Sequence, residues 1–329
     1  VTSGTAALRV ALAALNLKDG DEVITQSFTF VATVEAILAI GAKPIITEID
    51  ETFNMCTKDL KKKISKKTKL IIPVPMLGNQ CDMKTIKKIA KKNNIKILED
   101  ACESLGAKLG NKYVGTLGDI GVYSLDFAKT ITTGEGGLIV TNNKKIYKYC
   151  NEFKDHGHQN NKKLPRGKDN RNIWGLNLRM NELQAAVGIA QLKKLKLIIK
   201  KNYENKSLLK KQINSPLISF RKILDERGDL SDTLIFYFKN KKLAKKFVKI
   251  YNKNGYLTKN LPDAINWHFA GTWKHIFAKE GNYKKNWRVK WKKSEDLLRR
   301  SVSIPIYVKS SKKEINNQSI VINKILKGL

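Results

Sequence analysis

The sequence predicts an α/β fold with a mainly parallel central sheet, helices on both faces, and a smaller C-terminal α/β domain. Two observations support this. Up to residue 142, short apolar runs alternate with helical stretches of about ten residues, as in strand–helix–strand crossover units. After Cys150 this pattern stops, and a second, smaller set of apolar runs follows residue 215. We therefore expect a large domain over residues 1–190 and a small domain over residues 191–329.

The hydrophobic pattern predicts the elements in order. In the large domain, helices are predicted at 6–15, 28–40 and 83–93, and strands at 21–25, 44–48, 69–74, 95–98, 120–125 and 138–141. A polar loop at 155–172 follows. Beyond it, the pattern predicts a long helix at 183–209, strands at 218–221 and 233–238, and a helix at 241–251.

The formal net charge is +34, from 63 lysine and arginine residues against 29 aspartate and glutamate residues. Such a charge is common in nucleic-acid-binding proteins. Here, however, the lysines are spread along the whole chain and many fall on the polar faces of amphipathic helices, as at 87–95 and 193–201. We therefore expect no nucleic-acid partner.

The four cysteines, at positions 56, 81, 102 and 150, form no CxxC pair. This spacing argues against a disulfide framework and a metal site, and favours a reducing compartment, the cytoplasm. No apolar run reaches the length of a transmembrane helix, so we expect no membrane partner. Because the chain opens on Val1 rather than Met, we also expect that an upstream segment is missing.

Three features of the large domain can meet in one pocket. The turn at 3–5 precedes a helix, and its free N–H groups favour an anion such as phosphate, although an ordinary N-cap explains the same residues. Asp100 ends a predicted strand. Lys129 lies between a strand and the glycine-rich turn at 134–137. This position suits a lysine that forms a Schiff base, whose amine becomes nucleophilic at neutral pH when it is desolvated. Ligands of parallel sheets bind at the carboxyl ends of the strands, where these groups lie.

Pyridoxal 5′-phosphate needs these three groups. Its phosphate binds backbone N–H groups, its ring nitrogen stays protonated beside a carboxylate, and its aldehyde condenses with a lysine amine. We therefore predict pyridoxal 5′-phosphate as the cofactor, with Lys129 and Asp100 as the catalytic residues.

The segments that carry these groups resemble the DegT/DnrJ/EryC1/StrS sugar aminotransferases, which are fold-type-I pyridoxal-phosphate-dependent transferases. The resemblance covers essentially the whole chain and is most specific over residues 1–190. It rests on five motifs in family order: SGTAAL (3–8), GDEVITQSFTFVAT (20–33), EDACESLGA (99–107), GTLGDIGVYSLDFAKTITTGEGG (115–137) and GLNLRMNELQAA (175–186).

The resemblance implies a role for each matching residue. Lys129 would form the Schiff base with the cofactor and then shuttle protons. Asp100 would pair with the pyridine nitrogen. The phosphate would be held by Gly4, Thr5 and Ser124.

Three further positions complete the implied cofactor site. Phe30 matches an aromatic residue that stacks on the cofactor, with helix core as its alternative role. Glu103 stands where the family often has Gln or His, so its role stays open. Asn177 matches an asparagine that reaches the phosphate of the neighbouring subunit. The resemblance therefore implies a homodimer with shared active sites.

Two features bear on the reaction and the substrate. The related sugar 3-dehydratases carry His at the lysine position, so Lys129 favours amino transfer, with L-glutamate as the expected donor. The segments DHGH (155–158), RG (166–167), SFRKI (219–223) and NWHFAGTWKHI (266–276) resemble the branch that makes 8-amino-3,8-dideoxy-manno-octulosonate for lipopolysaccharide. Its substrate carries a carboxylate. The residues expected to bind this carboxylate are His156, His158, Arg166, Trp267, His268 and His275. For each of them, packing is the alternative role.

The sequence thus favours amino transfer to 8-oxo-3,8-dideoxy-manno-octulosonate. The alternative acceptor is a nucleotide-linked 4-keto-6-deoxyhexose, which predicts affinity for a nucleoside diphosphate. An alternative of another class is a non-catalytic binding or regulatory protein of the same fold. The intact pair of Lys129 and Asp100 argues against it, because a protein without catalysis has no physical need for either residue.

Overall fold

The computed structural model of the chain describes residues 1–262, 265–278 and 290–329. Its strands are β1 (Glu22–Gln26), β2 (Lys43–Thr47), β3 (Thr68–Ile71), β4 (Lys96–Asp100), β5 (Lys108–Leu109), β6 (Lys112–Tyr113), β7 (Ile120–Ser124), β8 (Gly137–Val140), β9 (Ile218–Phe220), β10 (Thr233–Phe238) and β11 (Ser301–Pro305). Its helices are α1 (Gly4–Ala13), α2 (Ala32–Leu38), α3 (Thr57–Lys63), α4 (Met83–Lys92), α5 (Lys144–Phe153), α6 (Glu182–Gln212), α7 (Lys241–Lys253), α8 (Ile265–His268), α9 (Lys274–Phe277), α10 (Lys292–Arg299) and α11 (Lys312–Lys327).

The central sheet has six strands in the order β2-β1-β3-β4-β7-β8. The first five are parallel to their neighbours, and only β8 runs antiparallel, against β7. Successive side chains of a strand point to opposite faces. Accordingly, Val23 and Ile24 of β1 are both buried but belong to different hydrophobic clusters. Both faces of the sheet are therefore covered, which confirms the predicted mainly parallel α/β fold.

A second sheet, in the order β11-β10-β9, is antiparallel throughout. Its buried face packs with α7 and α11 around Phe236 and Phe247, which form a hydrophobic cluster of their own. This small α/β unit matches the predicted C-terminal region.

The C-terminal half also contributes to the core of the large sheet. Phe269, Trp273 and Trp291 are buried in the same cluster as α1 and α2, and Ser294 Oγ lies 2.8 Å from Ser27 Oγ. The expected domain boundary at 190 falls inside α6. The division into two domains therefore stays a prediction.

One predicted helix begins later than expected. The pattern placed its start at 28–30, but α2 begins at Ala32. Phe28 instead forms a bridge with Phe269, and the Thr29 N–H donates to the carbonyl of His268. Residues 28–30 are therefore not helical, and Thr29 and Phe30 line the cavity described below. None of the helices in the described ranges has the length and apolar character that a membrane crossing requires.

Candidate active site

A cavity of about 630 Å³ opens at the carboxyl ends of β4 and β7. Both strands end in polar residues that line it, Asp100 and Ser124. The N-terminus of α1 and the loop that carries Lys129 border the same space. The structure therefore brings together the three features that the sequence placed at strand ends.

Asp100 lies at the floor of the cavity and is only 4% exposed. Its Oδ2 accepts a hydrogen bond of 2.6 Å from Thr33 Oγ1, and its Oδ1 accepts a longer one of 3.4 Å from the Cys102 amide. Burial raises the pKa of Asp100, because these hydrogen bonds and the charge of Lys129 offset only part of the lost solvation. Within the described ranges no cation forms an ion pair with this carboxylate.

Lys129 and Glu103 form an ion pair in the cavity, with Nζ 3.5 Å from Oε1. Burial alone would lower the pKa of Lys129, but Glu103, followed by Cys102 and Asp100, raises it. Burial alone would raise the pKa of Glu103, but Lys129, His268 and Lys259 lower it to about 2. Glu103 is therefore a carboxylate and Lys129 an ammonium group at neutral pH. The desolvation expected to make this amine nucleophilic is outweighed by the combined effect of the groups beside it, of which Glu103 has the largest.

The start of α1 forms the anion-binding end of the cavity. The Ser3 hydroxyl caps the helix by accepting from the Ala6 amide at 3.1 Å. The amides of Gly4 and Thr5 make no hydrogen bond to any described residue. A Cβ at Gly4 would come within 2.9 Å of Ser124 Cβ, so glycine lets the helix end approach β7. Gly4, Thr5 and Ser124 all line the cavity.

Another wall of the cavity is formed by Phe30 together with residues of the C-terminal half. Phe30 lies with its ring 5.6 Å from that of His268, and Trp267 lines the same wall. Lys259 also borders the cavity, with its Nζ 2.6 Å from Asp232 Oδ2. Phe30 is thus a cavity residue rather than buried helix core.

Five of the expected site residues do not line this cavity. His156 and His275 are exposed elsewhere on the surface. Arg166 donates to the buried carboxylate of Asp155, which also binds Arg179 at 2.6 Å. The other two are His158, whose Nδ1 lies 3.3 Å from Asp169, and Asn177, which is exposed and forms a backbone bridge with Asp155. Their expected roles stay predictions.

The residues that are present fit pyridoxal 5′-phosphate. Asp100 is a buried carboxylate whose only hydrogen-bond donors among the described residues are neutral, which suits a protonated ring nitrogen. The free amides of Gly4 and Thr5 at a helix N-terminus suit a phosphate. The Lys129 amine shares the cavity with both groups.

Sequence reasoning did not assign Thr33, Lys259, Asp232 or Asn260 to the site, although all four line it. Thr33 could have been noticed as the last residue of the second family motif. No local pattern marks the other three, because they come from the loops around the second sheet.

The comparisons with known proteins agree with this geometry. The family model described as DegT/DnrJ/EryC1/StrS aminotransferase family matches residues 1–325. The GDP-perosamine synthase of Escherichia coli O157:H7 is 43% identical over 216 residues, which are 65% of this chain and 58% of that protein. A second GDP-perosamine synthase, of Vibrio cholerae, is covered over 53% of its length. The chain thus spans little more than half the length of these relatives.

Solved structures match over nearly the whole chain. An aminotransferase of Psychrobacter cryohalolentis is 25% identical with a TM-score of 0.86, covering 100% of this chain and 86% of its own. NtdA of Bacillus subtilis, solved with bound cofactor PMP, is 26% identical with a TM-score of 0.86, covering 99% and 72%. These matches confirm the predicted fold, enzyme class and cofactor class at the level of the family. The chain belongs to the DegT/DnrJ/EryC1/StrS aminotransferase family.

Proposed function

We propose that this protein is a pyridoxal-phosphate-dependent aminotransferase that moves an amino group from L-glutamate onto the keto group of a nucleotide-linked sugar. One observation carries the reaction type: the amine of Lys129 and the buried carboxylate of Asp100 face one cavity, beside the free amides at the start of α1.

Each residue has a distinct task in this proposal. The cofactor, when bound, supplies an electron-accepting ring and a reactive aldehyde. Asp100 keeps positive charge on the ring nitrogen, and Gly4 and Thr5 donate to the phosphate. Lys129 holds and delivers a proton at Nζ. Glu103, whose Oε1 is 3.5 Å from that nitrogen, is its counter-charge.

Two observations favour a nucleotide-linked sugar over a free sugar acid. Two curated relatives, at 43% identity over 216 residues and 38% identity over 201 residues, are GDP-perosamine synthases. Four of the six residues expected to bind an acid's carboxylate lie outside the cavity: His156, His158, Arg166 and His275. The octulosonate stays the second candidate, supported by Lys259 and His268 in the cavity wall.

We further propose a homodimer in which Asn177 of each subunit reaches the phosphate in the other. Its exposure and its position outside the cavity of its own chain support this. A cytoplasmic location stays a prediction from the cysteine pattern.

The test begins with visible absorbance. Protein mixed with pyridoxal phosphate should develop the band of covalently bound cofactor, and L-glutamate should bleach it. Lys129→Ala should bind no cofactor that borohydride can fix, whereas Lys112→Ala, which removes an exposed lysine, should behave as wild type. If folded wild type shows no such band, the catalytic role of Lys129 is wrong and the non-catalytic alternative leads.

The acceptor is tested on protein that L-glutamate has bleached. A GDP-linked 4-keto-6-deoxyhexose should restore the band, and GDP alone should slow that recovery by competition. Recovery with 8-oxo-3,8-dideoxy-manno-octulosonate and not with the GDP-sugar would reverse the order of the two candidates.

A further inference from the structure

Arg221 is a buried cation next to the active-site wall. It directly follows β9, in the small sheet, and is 6% exposed. Its guanidinium donates to three carbonyls, those of Thr52 (2.9 Å), Leu77 (3.1 Å) and Met76 (2.5 Å). Burial lowers the pKa of Arg221 to about 10, so the group stays protonated at neutral pH. No described carboxylate forms an ion pair with it.

The turn that Arg221 binds has an unfavourable backbone. Leu77 has φ of 51° and ψ of 48°, the left-handed region that residues with a side chain rarely adopt. Gly78 follows with φ of 74°. The Met76 amide also donates to Asn54 at 2.9 Å. The conformation at Leu77 persists because its surroundings hold it, and Arg221 binds the carbonyls on both sides of that residue.

On its other side, the same turn contacts the active-site residue Glu103. The Leu77 amide donates to Glu103 Oε2 at 3.2 Å, while Glu103 Oε1 lies 3.5 Å from Lys129 Nζ. The Met76 carbonyl and the Leu77 amide belong to one peptide group. A single peptide plane therefore lies between the guanidinium of Arg221 and the carboxylate of Glu103.

We propose that Arg221 is a positioning residue: it fixes the Met76–Leu77 peptide so that the peptide's N–H orients Glu103 towards Lys129. The small sheet thereby controls the protonation of the active-site amine. That the Lys129 amine is catalytic rests on the proposed function. The contacts that link Arg221 to Glu103 and Lys129 do not depend on it. The charged and titratable groups that face Lys129, Glu103 or Arg221 are Asp100, Cys102, Asp126, His268, Lys259, Asp229, Asp232 and Cys81.

Loss of charge and loss of position have opposite effects, which makes the proposal testable. Removal of a nearby positive charge alone raises the pKa of Lys129. Release of Glu103 from its position lowers that pKa, because burial of the amine is then less compensated. The direction of the change therefore separates the two explanations.

The experiment compares Arg221→Met and Arg221→Lys with Lys222→Met, a neighbouring exposed cation whose loss should have no effect. The pKa of Lys129 is measured on cofactor-free protein by competitive acetylation at a series of pH values, read by peptide mass spectrometry. We expect the pKa of Lys129 to fall by about 1 in Arg221→Lys, which keeps the charge but not the planar fork, and by less in Arg221→Met, where loss of the charge offsets part of the fall. Amide exchange at Leu77 should also become faster.

A second variant distinguishes loss of the peptide's position from a general structural defect in Arg221→Met. Leu77→Gly removes the backbone strain at this position, so in the Arg221→Met background it should raise the pKa of Lys129 back towards the wild-type value. A rise or no change in the pKa of Lys129 in folded Arg221→Lys would overturn the proposal. If the proposed function fails because no sugar accepts the amino group, this pKa measurement is unaffected.

Discussion

Thr33 Oγ1 donates a hydrogen bond of 2.6 Å to Asp100 Oδ2, and both side chains are buried. The two residues are 67 positions apart, one in the first turn of α2 and the other at the end of β4. This bond holds the carboxylate in place. It also lowers the pKa of Asp100 and so offsets part of the rise that burial causes.

Thr33→Val should weaken cofactor binding. Removal of the hydroxyl leaves Asp100 Oδ2 without its short hydrogen bond, so the pKa of Asp100 rises further. A hydrogen bond to a charged group contributes about 1.5–3 kcal/mol, so we expect the dissociation constant of pyridoxal phosphate to rise roughly tenfold or more. Absorbance titration with the cofactor measures it. Thr29→Val, which removes a buried hydroxyl that contacts Thr33 but not Asp100, should have a smaller effect; equal effects would contradict the assignment.

The sequence was sufficient to predict the parts of the site that lie at strand ends. Asp100 follows a recognisable apolar run, Lys129 lies between two, and the parallel fold implied by the alternation brings both to one edge. Pairs such as Thr33 with Asp100, or Arg221 with Leu77 across 144 positions, leave no periodic signal in the chain. The late start of α2 has the same cause, since Phe28 pairs with Phe269 from the far end of the sequence.

Asp100→Asn should make the cofactor-free protein more stable at alkaline pH. Because burial raises the folded-state pKa of Asp100 above its unfolded value, the ionised carboxylate opposes folding once the pH has risen through that folded pKa. We expect the variant to be about 1 kcal/mol more stable than wild type at pH 8, and the difference to shrink as the pH falls towards 4. Urea unfolding at both pH values measures this.

Saturating pyridoxal phosphate provides the control for Asp100→Asn. Binding to the folded state stabilises wild type by mass action, whereas the variant should gain little. A variant whose stability advantage grew as the pH fell would show that Asp100 is not an uncompensated carboxylate.

Gly4→Ala should weaken binding of the cofactor's phosphate. The new Cβ would lie 2.9 Å from Ser124 Cβ, so the first turn of α1 must move away from β7 and its amides lose their alignment. We expect affinity for pyridoxal phosphate to fall roughly tenfold and affinity for pyridoxal, which lacks the phosphate, to change little. Gly167→Ala, where a Cβ meets no atom within 4 Å, is the matched control. An equal loss for both ligands would place the phosphate elsewhere.

Charges introduced on the apolar surface of α6 should dissociate the proposed homodimer. Leu183 and Ile189 are 81% and 60% exposed in the single chain. Gly188 lies between them, and a Cβ added there would come within 3.2 Å of Thr133 Cγ2, in the loop that carries Lys129. An interface here would bring a second copy close to the site. We expect the double variant Leu183→Glu/Ile189→Glu to sediment as a monomer, and Leu257→Glu, 69% exposed in another region, to sediment as wild type.

The shared site is tested separately from the dimer. Asn177→Ala should leave the sedimentation coefficient unchanged and weaken pyridoxal phosphate binding roughly tenfold, because one neutral donor to the phosphate is lost from each site. The monomeric double variant should lose at least as much affinity, since it lacks the partner subunit's contribution altogether. If Asn177→Ala binds the cofactor as wild type does while the protein remains dimeric, each subunit holds its phosphate without the other.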